Sequence, residues 1–273
     1  MNFELLFQLL LNGLIVGTLY GVVAMCFVLI YKSTQIVNFA QGEFLLIGAW
    51  VCFAFLVEMH MPFWMGFLFT LLFMMVFGIV LQMVVLRPMI GEPIISVIMV
   101  TIGLSIFFQA ATKWIFGATT ATYPQVFETR SVNLLGMQIE TAYIMSFVIS
   151  LFIMAGFYWF FKYSKLGLAM RATAFDQQVA QSLGISVKTV FAMSWAISAL
   201  VSGVAGIVIG MVNGVSSALS VIGIKVFPAV ILGGLDSIVG AIVGGDCLKT
   251  RPSLSMASTC IGATCSRSHR SMC

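Results

Sequence analysis

The sequence predicts an all-α protein, a polytopic bundle of helices crossing a membrane. Three observations carry this. Hydrophobic residues make up 61% of the 273 and charged residues only 8%, whereas a soluble domain carries roughly 25% charge. The mean hydropathy is +1.11. Apolar runs recur that match the roughly 20 residues a helix needs to cross about 30 Å of hydrocarbon, separated by short charged punctuation.

The first span, about 5–31, holds no charge between Leu5 and Tyr31. It is too long for a signal-peptide core, and Glu4 stands where a basic cluster would, so it reads as a retained helix. Gly13, Gly17 and Gly21 recur along it every four residues, which lets a neighbouring backbone approach one face. Lys32 ends the run, and a second span is expected at 36–57. Glu58–Pro62 separates it from a third at 63–86, and Arg87–Pro93 separates that from a fourth at 94–116. The longer loop 117–140 precedes a fifth span at 141–161. The basic loop 162–188 leads to a sixth at 189–212, where Ser198, Ser202, Gly206 and Gly210 form a second small-residue ladder. Helix packing is the plain reading of both ladders, and lining of a translocation path is the other. After a link at 213–225, a shorter glycine-rich apolar segment covers 226–245.

Lys162, Lys165, Arg171 and Lys188, against the single acid Asp176, place the loop 162–188 in the cytoplasm. Alternation then puts Lys32 and Arg87 inside. The N-terminus, the Glu58 turn and 117–140 fall outside. Much of the net charge of +4 sits in residues 246–273, so the body is near neutral and offers no basic stripe for nucleic acid. Cys26 and Cys52 lie inside apolar spans and read as small buried hydrophobes, while Cys247, Cys260, Cys265 and Cys273 are in the tail.

One stretch, STQIVNFAQGEF at 33–44, sets Asn38, Gln41 and Glu43 around Gly42 inside otherwise apolar sequence. A helix starting near Ser33 would carry Glu43 about ten residues in, or roughly 15 Å at 1.5 Å per residue. A carboxylate there must face protein or water, and Gly42 weakens the helix. A broken helix at that depth is tolerated only inside protein or beside a watery cavity. Two readings stay open: an internal hydrogen-bonded clasp, or the wall of a transport pathway. A position nearer the interface is a third. The segment KVFPAVILGGLDSIVGAIVGG at 225–245 has the same flavour, reading as short helical pieces with a tight turn at Gly233–Gly234 and a polar Asp236, or as a small-residue packing helix.

In the basic loop, Leu168, Arg171 and Ala172 begin a helical pattern. Phe175, Val179 and Leu183 continue it as an apolar stripe, and Gly184 follows as a C-cap. One amphipathic helix over 168–183 is expected. Its glutamine-rich polar face favours a partner's groove over the membrane surface. Catalytic signals are missing: no lysine follows a glycine, and HExxH and CxxC are absent. No metal site is expected, because Cys260, Cys265 and His269 match no common zinc spacing.

Three stretches together resemble one family. STQIVNFAQGEF is similar to the Asn-Phe-Ala-x-Gly-Glu element of branched-chain amino acid ABC-transporter permeases, of the H-type (LivH-like) subunit. KLGLAMRATAFDQQVAQSLGISV resembles their cytoplasmic coupling segment. GIKVFPAVILGGLDSIVGAIVGG resembles their Gly-Gly-x-x-Ser-x-x-Gly-x-x-x-Gly-Gly element. Gln41 stands where His is common, and Asp236 where Gly is common. The resemblance implies a non-catalytic permease bundle with broken membrane helices, in the bacterial cytoplasmic membrane. It implies a related permease subunit, two ABC ATPase subunits that use ATP and Mg, an external solute-binding protein, and an amino acid as cargo. No cofactor would be bound by this chain, and 168–183 would be the ATPase-coupling helix.

The resemblance covers about 5–245, giving a permease domain 1–245. The Ser/Thr/Cys-rich tail 246–273 has no apolar run long enough to span and is expected to be out of frame, in place of the family's last helix. Two alternatives stand beside the leading reading: a permease of the same family for an amide or urea, and an ion-coupled secondary carrier using Glu43.

Overall fold

The computed structural model describes residues 3–89, 91–117, 119–123, 131–134 and 137–234. Asp236 and the tail 246–273 therefore lie outside the described residues. Nine helices follow in chain order among these residues: α1 (Phe3–Thr34), α2 (Gln41–Val57), α3 (Phe63–Leu81), α4 (Ile94–Phe116), α5 (Thr141–Tyr163), α6 (Lys165–Phe175), α7 (Gln177–Ser182), α8 (Val187–Asn213) and α9 (Ala218–Gly233). Five stretches are long and apolar enough to cross a membrane: Ile15–Thr34, Phe63–Met89, Ile94–Phe116, Thr141–Tyr163 and Val187–Asn213. The chain is a polytopic, all-α membrane protein. One short hairpin interrupts the expected outside loop, with β1 (Ser131–Leu134) antiparallel to β2 (Met137–Glu140).

Burial sorts the helices into an inner and an outer set. Every α1 side chain from Val22 to Ile30 is buried, and an apolar helix buried all round is a central one. α8 packs against α1, α2 and α3. By contrast α3, α4 and α5 leave Trp64, Trp114, Phe152 and Trp159 exposed. Apolar surface on that scale belongs against lipid or another membrane chain.

The small-residue ladder of α8 faces α2. Ser198 and Ser202 meet Gln41. A side chain at Gly206 would run into the Leu45 carbonyl, and one at Gly210 would meet Tyr123, Val215 and Ala49. Partner residues on α2 thus step by four as those on α8 do, so the two helices run parallel with backbones in close approach. Gly17 and Gly21 are likewise buried in α1; the surroundings of Gly13 fall outside the described residues. Tyr123 ties the outer end, its hydroxyl donating to Ala49 O at 2.7 Å. Burial pushes that phenol's pKa well up, so it stays a donor. Ala121 pairs with Val215 beside it.

Four boundaries differ from the sequence reading. α2 starts at Gln41, not near 36. The last turn of the third span winds as a π turn at Gln82–Leu86 and a 3-10 turn at Arg87–Met89. Residues 218–225, taken as linker, are the first half of α9, with Pro228 inside it. The expected single helix 168–183 is two, because Asp176 leaves helical geometry (φ −156°, ψ 118°) and its carboxylate accepts from Gln178 N and Val179 N. That bond is an N-cap, which starts a new helix at the site where it ends the old one.

Candidate functional site

The site is built on the break between α1 and α2. Ser33 and Thr34 hydroxyls donate back to the carbonyls of Leu29 and Ile30, a pattern that loosens a final turn. Gln35 then takes φ +57° and turns the chain out of the helix. Asn38 Oδ1 accepts from Ala40 N at 3.0 Å, the side-chain turn that Asn favours. α2 starts three residues beyond Asn38.

Glu43 therefore lies in the first turn of α2, which corrects the expectation that it lies about ten residues beyond a helix start near Ser33. Its depth comes from what this turn touches. Ser198 and Ser202 lie midway along the 27-residue α8, and Ser105 lies midway along the 23-residue α4. The irregular backbone at 35–40 thus runs from the exposed Gln35 into the bundle, where Asn38 and Ala40 are buried in protein.

Gln41 anchors one side of the turn. Its Oε1 accepts from Asn38 Nδ2 at 3.2 Å. Its Nε2 donates to Ser198 Oγ at 3.1 Å and also to Ser202 Oγ. Ser198 Oγ donates onward to Cys26 O of α1 at 3.4 Å. These bonds join α1, α2 and α8 through side chains that are at most 1% exposed.

Glu43 faces the other side. Ser105 Oγ donates to its Oε1 at 3.3 Å. Its Oε2 is buried without a hydrogen-bond partner among the described residues. Gln109, one turn along α4, donates to Ser220 Oγ of α9 at 3.2 Å. Between the two sides, Gly42 lies so close to Ser220 O and Gly223 that no side chain fits. Ser105 and Gln109 are only half-buried, so this polar seam between α4 and α9 opens outward from the bundle.

Sequence reasoning missed the α4 part of the seam. Thr101, Ser105, Gln109 and Lys113 recur every four residues along one face of an otherwise apolar span, and this spacing was the available signal. Lys225, exposed midway along α9, was also passed over. A charge at membrane depth needs protein or water around it.

The other sequence candidates fall elsewhere. Gly233 closes α9, and Gly234 takes φ +89°, so the chain does turn there. On the cytoplasmic side Leu168, Phe175, Val179 and Leu183 are all exposed, Phe175 to 95%. Ala172 is half-buried and not part of that stripe. Arg171 folds back onto the carbonyls of Gly167 and Lys162 and lies 5.9 Å from the Phe161 ring. Gly184 has φ +83°, as a C-cap requires. Met170 and Thr173 fix α6 to the bundle from its buried face. Among the described residues no three His, Cys, Asp or Glu side chains gather as a metal site.

Comparison with known proteins agrees with this architecture. Residues 9–258 match the family described as the branched-chain amino acid transport system permease component. The high-affinity branched-chain amino acid transport system permease protein BraD of Pseudomonas aeruginosa is 32% identical over 254 residues, covering 87% of this chain and 82% of that protein. The corresponding permease protein LivH of Salmonella typhimurium is 29% identical over 264 residues, 92% and 86%. A probable LivH of Methanocaldococcus jannaschii is 26% identical over 249 residues, 87% and 78%. No solved structure gives a significant match. These relatives fit neither the amide or urea reading nor the ion-coupled carrier. With its inner helices packed around the break between α1 and α2 and its outer helices exposing apolar surface, the chain is a multi-pass protein of the cytoplasmic membrane and belongs to the permease family of branched-chain amino acid transport systems.

Proposed function

We propose that this chain is the membrane-spanning permease subunit of an ATP-driven importer, carrying branched-chain amino acids into the cell. A related permease subunit, two ABC ATPases that use ATP and Mg, and an external solute-binding protein complete the machine. The carrying observation is a polar seam at mid-membrane depth, in which the buried Glu43 and Ser220 meet the half-buried Ser105 and Gln109. Half-exposed polar groups are disfavoured against lipid, so this seam faces a second subunit or water and forms one wall of the solute path. The energy comes from elsewhere, and α6–α7 receives it. Phe175, Val179 and Leu183 project from a base fixed on α1, α5 and α8, as an element that transmits ATPase closure must.

Reconstitution with the neighbouring subunits tests both parts. Leucine uptake should require ATP and the solute-binding protein. Phe175→Asp should abolish co-purification of the ATPases while the permease stays folded, since this side chain is almost fully exposed. Retained ATPases in that variant would sink the docking assignment.

A further inference from the structure

A second space, mainly apolar with a few polar groups in its wall, lies on the cytoplasmic side, apart from the seam. It is a pocket of about 240 Å³, walled by the α1–α2 link, the π turn after α3, the start of α4, Gln177 of α7, and Phe191 and Trp195 of α8. That is below the roughly 300–1,000 Å³ of sites for drug-sized ligands, so a smaller molecule is its match. Gln82 lines it, is 1% exposed, and has an Nε2 without a hydrogen-bond partner among the described residues. Buried donors are seldom left unpaired, and a π turn inside a helix often marks a functional position. Glu92 is the one charged residue among the described lining residues.

This lining selects its ligand. An orphan amide donor calls for an acceptor, the carboxylate for a cation, and Leu86, Phe191 and Trp195 for an apolar body. A phosphate would meet a like charge and no Lys or Arg. A lipid chain would leave the Gln82 amide unpaired. We infer that the pocket is an exit-side binding site for a zwitterionic amino acid with an apolar side chain, its carboxylate toward Gln82 and its ammonium toward Glu92. The inference rests on the proposed transport function. It also places the released solute between the link that leads to Asn38 and the α7 arm that carries Gln177.

The test is equilibrium binding of radiolabelled leucine to the complete complex in lipid nanodiscs, with the solute-binding protein omitted. Saturable binding is expected, and Gln82→Leu and Glu92→Gln should each weaken it about ten-fold, as loss of a hydrogen bond to a charged group does. No saturable binding in the wild-type complex, or unchanged affinity in the variants, overturns the site. If Gln82→Leu does not assemble, Glu92→Gln decides alone, because Glu92 is exposed at the rim. Leucine uptake by the wild-type complex in liposomes separates the two readings. Uptake without binding removes only the pocket, whereas no uptake removes the transport function on which it rests.

Discussion

Gln41 and Glu43 stand two residues apart on the first turn of α2, are almost equally buried, and are treated differently by their surroundings. Gln41 is bonded through both amide atoms, to Asn38 and to Ser198 and Ser202. Glu43 has one oxygen bonded, by the half-buried Ser105, and one with no partner among the described residues. A satisfied buried network specifies and rigidifies a structure. An unsatisfied buried carboxylate oxygen is the kind of exception that calls for a functional reason. On the proposed reading, the clasp and the pathway, which the sequence left as rivals, occupy the two faces of one helical turn.

Gly42 separates those faces and should give the largest effect. Its Cα–H face abuts Ser220 O and Gly223, all of it backbone that a rotamer change cannot move. Gly42→Leu would force α2 from α9 and disturb clasp and seam together. The expected result is loss of the folded permease, read as no monodisperse peak in detergent. A folded, transporting Gly42→Leu would show that the α2–α9 contact is not what holds the two faces apart.

Gln41→Leu comes next, and tests the clasp alone. It leaves Asn38, Ser198 and Ser202 short of partners, which costs about 1–3 kcal/mol for buried polar groups. Membrane polar pairs run toward the low end, about 0.6–2 kcal/mol. Thermal unfolding in detergent should show the drop. A double-mutant cycle with Ser202→Ala should show coupling between the two positions, because they share a bond. Full additivity would mean that Gln41 acts by shape and not through this hydrogen bond.

The same comparison explains what the sequence could show. Gln41 and Glu43 stood out because amides and carboxylates are expensive in hydrocarbon, and the α8 ladder because small residues at steps of four make a groove. The break was expected at Gly42 and lies instead at 35–40, where Ile36, Val37 and Phe39 continue the apolar pattern while the backbone leaves the helix. Thr101 and Ser105 were read past because such hydroxyls sit quietly in membrane helices; Thr101 Oγ1 bonds the Ile98 carbonyl of its own helix. Asp176 was hidden by the apolar stripe running through it, although Asp is a strong N-cap. The ends of α9 split for a related reason. Ser216 and Ser217 look like linker, yet helix begins immediately after them, whereas Gly234 announces the other end by a conformation that Gly adopts easily.

Glu43→Gln should have the smallest effect on stability and is the sharpest test of the difference. The substitution keeps the shape and the oxygen that accepts from Ser105, while removing the ionisable carboxyl buried at membrane depth. Stability should therefore fall by less than the about 1–3 kcal/mol expected for Gln41→Leu, since no hydrogen bond is removed. Uptake should nevertheless fall about ten-fold, equivalent to about 1.4 kcal/mol, because on the proposed reading a buried carboxyl oxygen with no partner among the described residues, beside the half-buried part of the seam, is kept for a passing ammonium group. ATPase co-purification should be unchanged, since α6 and α7 are untouched. The informative contrast is with Gln41→Leu, in which stability falls first and transport falls only as folded protein is lost. If Glu43→Gln instead destabilises the permease as Gln41→Leu does, with uptake per folded molecule intact, then both faces of the turn are clasp. The solute path must in that case run along another wall of the bundle.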